Sequence, residues 1–139
     1  MRPIKFGLFL PTDDFSKARA AAEWADTNGF YSVSINDHFF SPLGLPQVPQ
    51  LECFSTLSAI AAVTKKVRLT PTVAANSFRA PPMLAKITST LDHLSNGRLV
   101  LGIGSGWQRS EYDAHGYPYP SNVERLEQLH DAIKLIKTM

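Results

Sequence analysis

Four times along this chain a short β-type run gives way to a segment of helical period. That alternation limits the fold to a parallel α/β arrangement with right-handed crossovers. Residues 4–10 (IKFGLFL) read as the first strand, ended by Pro11 and the Asp13-Asp14 pair. Phe15, Ala18, Ala21, Ala22 and Ala25 then recur at helical spacing up to Asn28-Gly29, a pair that tolerates a left-handed cap. Residues 31–35 (YSVSI) form the second strand, and a Pro-rich loop leads into a helix over about 51–64 with Phe54, Leu57, Ile60 and Ala61 on one face. The third strand covers 67–73. Pro71 has no amide N–H, so a bulge or displaced ladder is expected there. A third helix opens at Pro81-Pro82, where missing donors cost least, and carries Leu84, Ile87, Leu91 and Leu94. The fourth strand is 98–104 (RLVLGIG). After a polar loop, Ser121 and Glu124 have the capping-box spacing for a last helix striped by Leu126, Leu129, Ile133 and Ile136.

This order fits an open doubly wound sheet or part of a barrel. A barrel of eight strand–helix units usually takes about 250 residues; this chain has 139. With 44% hydrophobic and 19% charged residues it is too apolar to be disordered. Its 14 basic and 12 acidic residues leave a net charge of +2 spread without a stripe, which argues against a nucleic-acid partner. No apolar run approaches the roughly 18 residues of a membrane span, and the first residues are too interrupted for a signal peptide. The single cysteine, Cys53, has no partner for an internal disulfide, so the expected location is cytoplasmic.

Ligand sites of parallel α/β sheets lie at the carboxyl ends of the strands. That rule selects Pro11-Thr12, Asp37-His38-Phe39, residues 72–76 and Ser105-Gly106-Trp107. A neutral imidazole at His38 could exchange a proton with a substrate; spacing alone favours a hydrogen-bonded loop histidine beside a turn-capping Asp37. Thr72, Val73, Ala74 and Ala75 end a strand in mostly small residues. They allow either the approach of a flat ring or tight packing. Gly102-Ile103-Gly104-Ser105-Gly106-Trp107 invites the dinucleotide fingerprint G-x-G-x-x-G and fails it, because the last glycine would have to stand at Trp107. The glycines instead let the chain turn beside a ligand. Trp107 reads equally as a pocket wall or a core residue. Cys53 reads as a small apolar filler, Trp24 as helix–sheet packing, and His93 and His130 as surface residues. His93, His115 and His130 have no metal-type spacing.

Residues 91–107 (LDHLSNGRLVLGIGSGW), followed by Glu111-Tyr112 and His115-Gly116, closely resemble the bacterial luciferase-like family. So do residues 5–11 (KFGLFLP), Asp37-His38-Phe39, Leu51-Glu52 and residues 82–86 (PMLAK). The resemblance runs in order through essentially the whole chain. It implies a TIM-barrel fold of which this chain is the N-terminal (βα)4 half: one domain over 1–139, cut short at 139. It also implies reduced flavin mononucleotide (FMN) or the deazaflavin coenzyme F420 at the carboxyl end of the barrel. Residues 76–79 (NSFR) and the Gly106-Trp107 pair are more similar to the deazaflavin branch. The resemblance assigns ring-side proton transfer to His38 and a place near the ring's polar edge to Asp37. It places a cis Thr72–Val73 peptide behind the ring, with Ala74, Asn76, Ser105, Gly106 and Trp107 as further cofactor contacts. Sugar-phosphate dehydrogenases of that branch have Glu where this chain has Trp107, a departure that sets its substrate apart.

Three readings follow. The first is an F420-dependent oxidoreductase moving a hydride to or from a small organic substrate, inactive if the half stands alone. The second is an FMN-dependent monooxygenase using dioxygen. The third is a non-catalytic assembly module. A (βα)4 unit leaves two strand edges and an apolar face open, and a homodimer would cover them.

Overall fold

The computed structural model describes residues 3–42 and 48–139. The elements run β1 (Gly7–Phe9), α1 (Phe15–Thr27), β2 (Ser32–Ile35), α2 (Cys53–Val63), β3 (Arg68–Pro71), β4 (Ala74–Ala75), α3 (Pro81–Leu94), β5 (Ile103–Gly104), α4 (Arg109–His115) and α5 (Asn122–Thr138). A 3-10 turn, Asn76–Phe78, separates β4 from α3. The strands are parallel: β1, β2 and β3 form one sheet in that order, and β4 pairs with β5.

Register decides which side is buried. Leu8, Val33 and Leu69 stand opposite one another across β1, β2 and β3. They pack with Leu10 and Ile35 against Ala18, Ala22 and Ala25 of α1 and Leu57 and Ile60 of α2. Each fully buried Leu or Ile of this layer contributes about 1.5–3 kcal/mol. The alternate residues, Gly7, Phe9, Ser32, Ser34, Arg68 and Thr70, form the sheet's other face, which is exposed or half-buried.

The turns at the amino ends of the strands are tied by side chains. Asp26 accepts the backbone N–H groups of Lys65, Lys66 and Val67. The Arg98 guanidinium donates to the carbonyls of Ala61, Val67 and Ser95 and to Thr64 Oγ1, joining the end of α2 to the end of α3. Helix starts follow the expected chemistry. Asp14 caps α1 through the amides of Ser16 and Lys17, Glu52 caps α2 through Ser55, and Ser121 with Glu124 forms the capping box of α5.

The irregularity expected at Pro71 is present. The ladder breaks after Pro71, the Thr72–Val73 peptide is cis, and pairing resumes where the Ala74 amide donates to the Gly102 carbonyl at 2.9 Å. The fourth strand is consequently shorter than residues 98–104: it consists of β5 and an isolated bridge between Leu69 and Leu99. Trp24 does not pack between helix and sheet. It is 53% exposed and leans on Phe30, because it lies off the Ala18/Ala22/Ala25 face that α1 turns to the core. Three of the four positions expected to stripe α5, Leu129, Ile133 and Ile136, are half-buried. Arg125 and Ala132 are buried and Ile136 packs on the core, whereas Leu126 faces outward. The loop expected after the fourth strand contains α4, whose seven residues are too few to show a period. No helix among the described residues is long and apolar enough to cross a membrane.

Candidate active site

At the carboxyl ends of β2, β4 and β5 the chain surrounds a cavity of about 270 Å³. Three separate segments form its wall. Asp37 and His38 follow β2; Thr72 and Val73 follow β3 and lead into Ala74 of β4; Ser105, Gly106 and Trp107 follow β5. These stretches therefore converge on one rim. Asn76 does not line this cavity; it is buried behind the rim in the 3-10 turn, beside a separate cleft against α5.

His38 is held from one side. Its Nδ1 lies 2.9 Å from Glu111 Oε2, and the imidazole meets the Trp107 indole edge to face, with centroids 5.7 Å apart. Glu111 projects from α4 and is only 1% exposed. Its Oε1 accepts the amides of Phe39 (2.6 Å) and Phe40 (3.0 Å), so this carboxylate also fixes the backbone after His38. Such a carboxylate, acceptor-only when ionised, is served by two backbone N–H donors with the His38 Nδ1 beside its other oxygen.

Asp37 is fully engaged. Arg79 forks onto it, Nη1 to Oδ2 at 2.7 Å and Nη2 to Oδ1 at 2.9 Å, and the Ala75 amide donates to Oδ2 at 2.9 Å. Arg79 Nη2 also reaches Glu52 Oε1 at 2.6 Å. Burial by itself would lower the Arg79 pKa; the Asp37 and Glu52 carboxylates outweigh it and hold the guanidinium above its ordinary range. Asp37 thus lines the cavity while bracing β4 and the start of α2. Cys53, beside this cluster, is buried. Desolvation first, then the Asp37 and Glu52 charges, push its thiol above the ordinary range, as an inert filler requires.

The floor is built from residues with little or no side chain. A Cβ on Gly102 would come within 2.6 Å of the Pro71 carbonyl oxygen, and one on Gly104 within 3.0 Å of Val73 Cγ2. Gly106 has φ +81°, and a Cβ there would overlap the Tyr112 hydroxyl. Val73 and Trp107 remain 48% and 62% exposed and supply apolar surface. Gln108 Oε1 is buried at the same cavity and accepts no hydrogen bond among the described residues. Small floor, apolar flanks and one free acceptor suit a flat heterocycle with polar edges. The volume lies just below the roughly 300–1,000 Å³ of ligand pockets, and no Lys or Arg is among the lining residues. The fit is to a ring, not to a phosphorylated tail. No group of three or more His, Cys, Asp or Glu able to hold a metal occurs among the described residues.

The family model for luciferase-like monooxygenases matches residues 4–139. The chain belongs to this family. Among curated relatives it is 32% identical to an uncharacterized protein of Mycobacterium tuberculosis, over 97% of this chain and 54% of that protein. It is 33% identical to the F420-dependent glucose-6-phosphate dehydrogenase of Kineococcus radiotolerans, over 99% of this chain and 41% of that enzyme. The solved F420-dependent tetrahydromethanopterin reductase of Methanopyrus kandleri superposes with a TM-score of 0.79 at 26% identity, covering 97% of this chain and 40% of that one. An FMN-bound Baeyer–Villiger monooxygenase component of Pseudomonas putida shares the fold alone, with a TM-score of 0.77 at 20% identity over 96% of this chain and 38% of that one. The chain thus spans about half the length of the relatives it matches. The family is one of oxidoreductases that includes F420-dependent members, and its solved structures are TIM-barrel enzymes of which this chain covers a part.

Glu111, Arg79, Phe78, Gln108 and Tyr112 were not legible as site residues from spacing. Glu111 and Arg79 stood inside blocks that resemble the family, but nothing local tied Glu111 to His38 across 73 residues.

Proposed function

We propose that this chain supplies the ring-side wall of an F420-dependent oxidoreductase site, with His38 as the residue that handles the substrate proton. The observation that carries the reading is the pairing of His38 with the buried Glu111 on a small-floored cavity. A histidine held through Nδ1 keeps its second nitrogen available for proton exchange near neutral pH. The deazaflavin, when bound, would supply hydride chemistry. Val73, Ala74, Gly104, Ser105 and Gly106 would hold its ring, Trp107 would shield one side from water, and Gln108 would offer an acceptor to a ring N–H. Asp37 would act on the site through the Ala75 amide and Arg79. Trp107 stands where a substrate-binding acid would serve sugar-phosphate chemistry, which favours an uncharged small organic substrate.

The second reading, an FMN-dependent monooxygenase using dioxygen, draws on the family's description as monooxygenases. Titrating the chain with F420 and, separately, with FMN discriminates the two, with Trp107 fluorescence as the signal. Saturable quenching by F420 that Gly104→Val weakens at least tenfold supports the first reading. Quenching by FMN alone, with oxygen uptake once the flavin is reduced, replaces it with the second. Binding of neither overturns both.

A further inference from the structure

We propose that Glu111 is a positioning residue that fixes the tautomer of His38, placing the hydrogen on Nδ1 and leaving Nε2 as a proton acceptor. The proposal deepens, and rests on, the reading of His38 as the proton-handling group. Glu111 Oε1 already accepts two backbone N–H groups, from Phe39 and Phe40, so that oxygen has no room for a proton of its own. The remaining oxygen, Oε2, is 2.9 Å from His38 Nδ1. As a carboxylate Glu111 can only accept, which puts the hydrogen between them on Nδ1. A neutral imidazole carries one hydrogen, and Nε2 is then bare. A protonated Oε2 donating to Nδ1 would instead leave the ring hydrogen on Nε2, the outcome that the ring spectra distinguish. The two amide bonds alone would suffice to anchor the loop after β2. The third bond goes to the ring, and a loop clamp has no need of it.

The arrangement makes the isosteric change informative. In Glu111→Gln the amide oxygen can still accept from Phe39 and Phe40. The NH₂ group then meets Nδ1, which must turn acceptor, and the hydrogen moves to Nε2. His38 would present a donor where it had presented a lone pair, with its position kept.

Long-range ¹H–¹⁵N correlation spectra of the four histidine rings of the 139-residue chain, recorded at about pH 8, above the reference imidazole range, read this directly. His38→Ala assigns the signal. The expected result is a dominant Nδ1–H form for His38 and a reversal to Nε2–H in Glu111→Gln. A wild-type His38 in the Nε2–H form, which an unconstrained imidazole prefers, or a mixture without a dominant Nδ1–H form overturns the proposal, as does a Gln variant that keeps Nδ1–H. Should the Gln variant fail to fold, the wild-type spectrum decides alone. Because the readout needs no coenzyme, a failed F420 titration with an intact Nδ1–H signal would sink the proposed activity and leave the tautomer assignment standing.

Discussion

Gly106→Ala tests the packing of the cavity rim. Gly106 sits at φ +81°, where an L-residue with a Cβ meets its own carbonyl at a cost of about 1–2 kcal/mol. The added methyl would also overlap the Tyr112 hydroxyl and come within 2.9 Å of Tyr112 Cζ. Tyr112 is 1% exposed and ringed by Phe78, Tyr117 and Tyr119, so it cannot swing away freely. Overpacking of this kind costs about 1–3 kcal/mol. The sum, about 2–5 kcal/mol, is a large share of the 5–15 kcal/mol that usually separates folded from unfolded chains. With a urea slope of about 2 kcal/mol/M, the midpoint should fall by roughly 1–2.5 M. Tyr112→Phe removes the atom in the worst overlap and by itself costs little, at most about 1 kcal/mol, because the buried hydroxyl has no hydrogen-bond partner among the described residues. In the double variant only the backbone cost and the residual ring contact remain. A cycle followed by tryptophan fluorescence and circular dichroism should therefore give a favourable coupling of about 1–3 kcal/mol. A Gly106→Ala midpoint equal to wild type, or strictly additive single effects, would refute the steric account of this rim.

Arg79→Ala should cost about 3–5 kcal/mol in the same assay, because it leaves the buried Asp37 carboxylate with only the Ala75 amide; Arg79→Lys should recover little, since one ammonium cannot fork onto Asp37 and reach Glu52 together. Asp26 gives an acid limb. Burial would raise its pKa, but the amides of Val67, Lys66 and Lys65 outweigh it and hold the folded carboxyl below the ordinary aspartate range. Its stabilisation is complete above the unfolded value and is lost as pH falls through the lower folded one. Urea midpoints between about pH 5 and pH 2 should accordingly fall less steeply in Asp26→Asn than in wild type. Cys53, buried with its thiol pushed upward, should react with an aromatic disulfide reagent at a rate set by unfolding; rapid labelling of the native chain would contradict its placement.

Much of this protein was written locally. Alternating β-type runs and helical stripes fixed the parallel α/β order, because side-chain period and turn chemistry are properties of neighbouring residues. Pro71 announced the break in its ladder through its missing N–H, and Ser121 and Glu124 announced the start of α5. The rule that sites gather at strand carboxyl ends selected Pro11-Thr12, Asp37-His38-Phe39, residues 72–76 and 105–107, and of these Asp37, His38, 72–75 and 105–107 line the cavity while Pro11, Thr12, Phe39 and Asn76 do not. Only tertiary structure decided the rest. Asn76 fell behind the rim because the chain curls into a 3-10 turn there, and Trp24 stays outside because Ala18, Ala22 and Ala25 take the buried face of its helix. Glu111 meets His38 because α4 folds back over the end of β2, and Arg79 meets both Asp37 and Glu52 because β4 turns beside the start of α2. Such bonds join residues tens of positions apart, and their energy depends on burial, which no local pattern encodes.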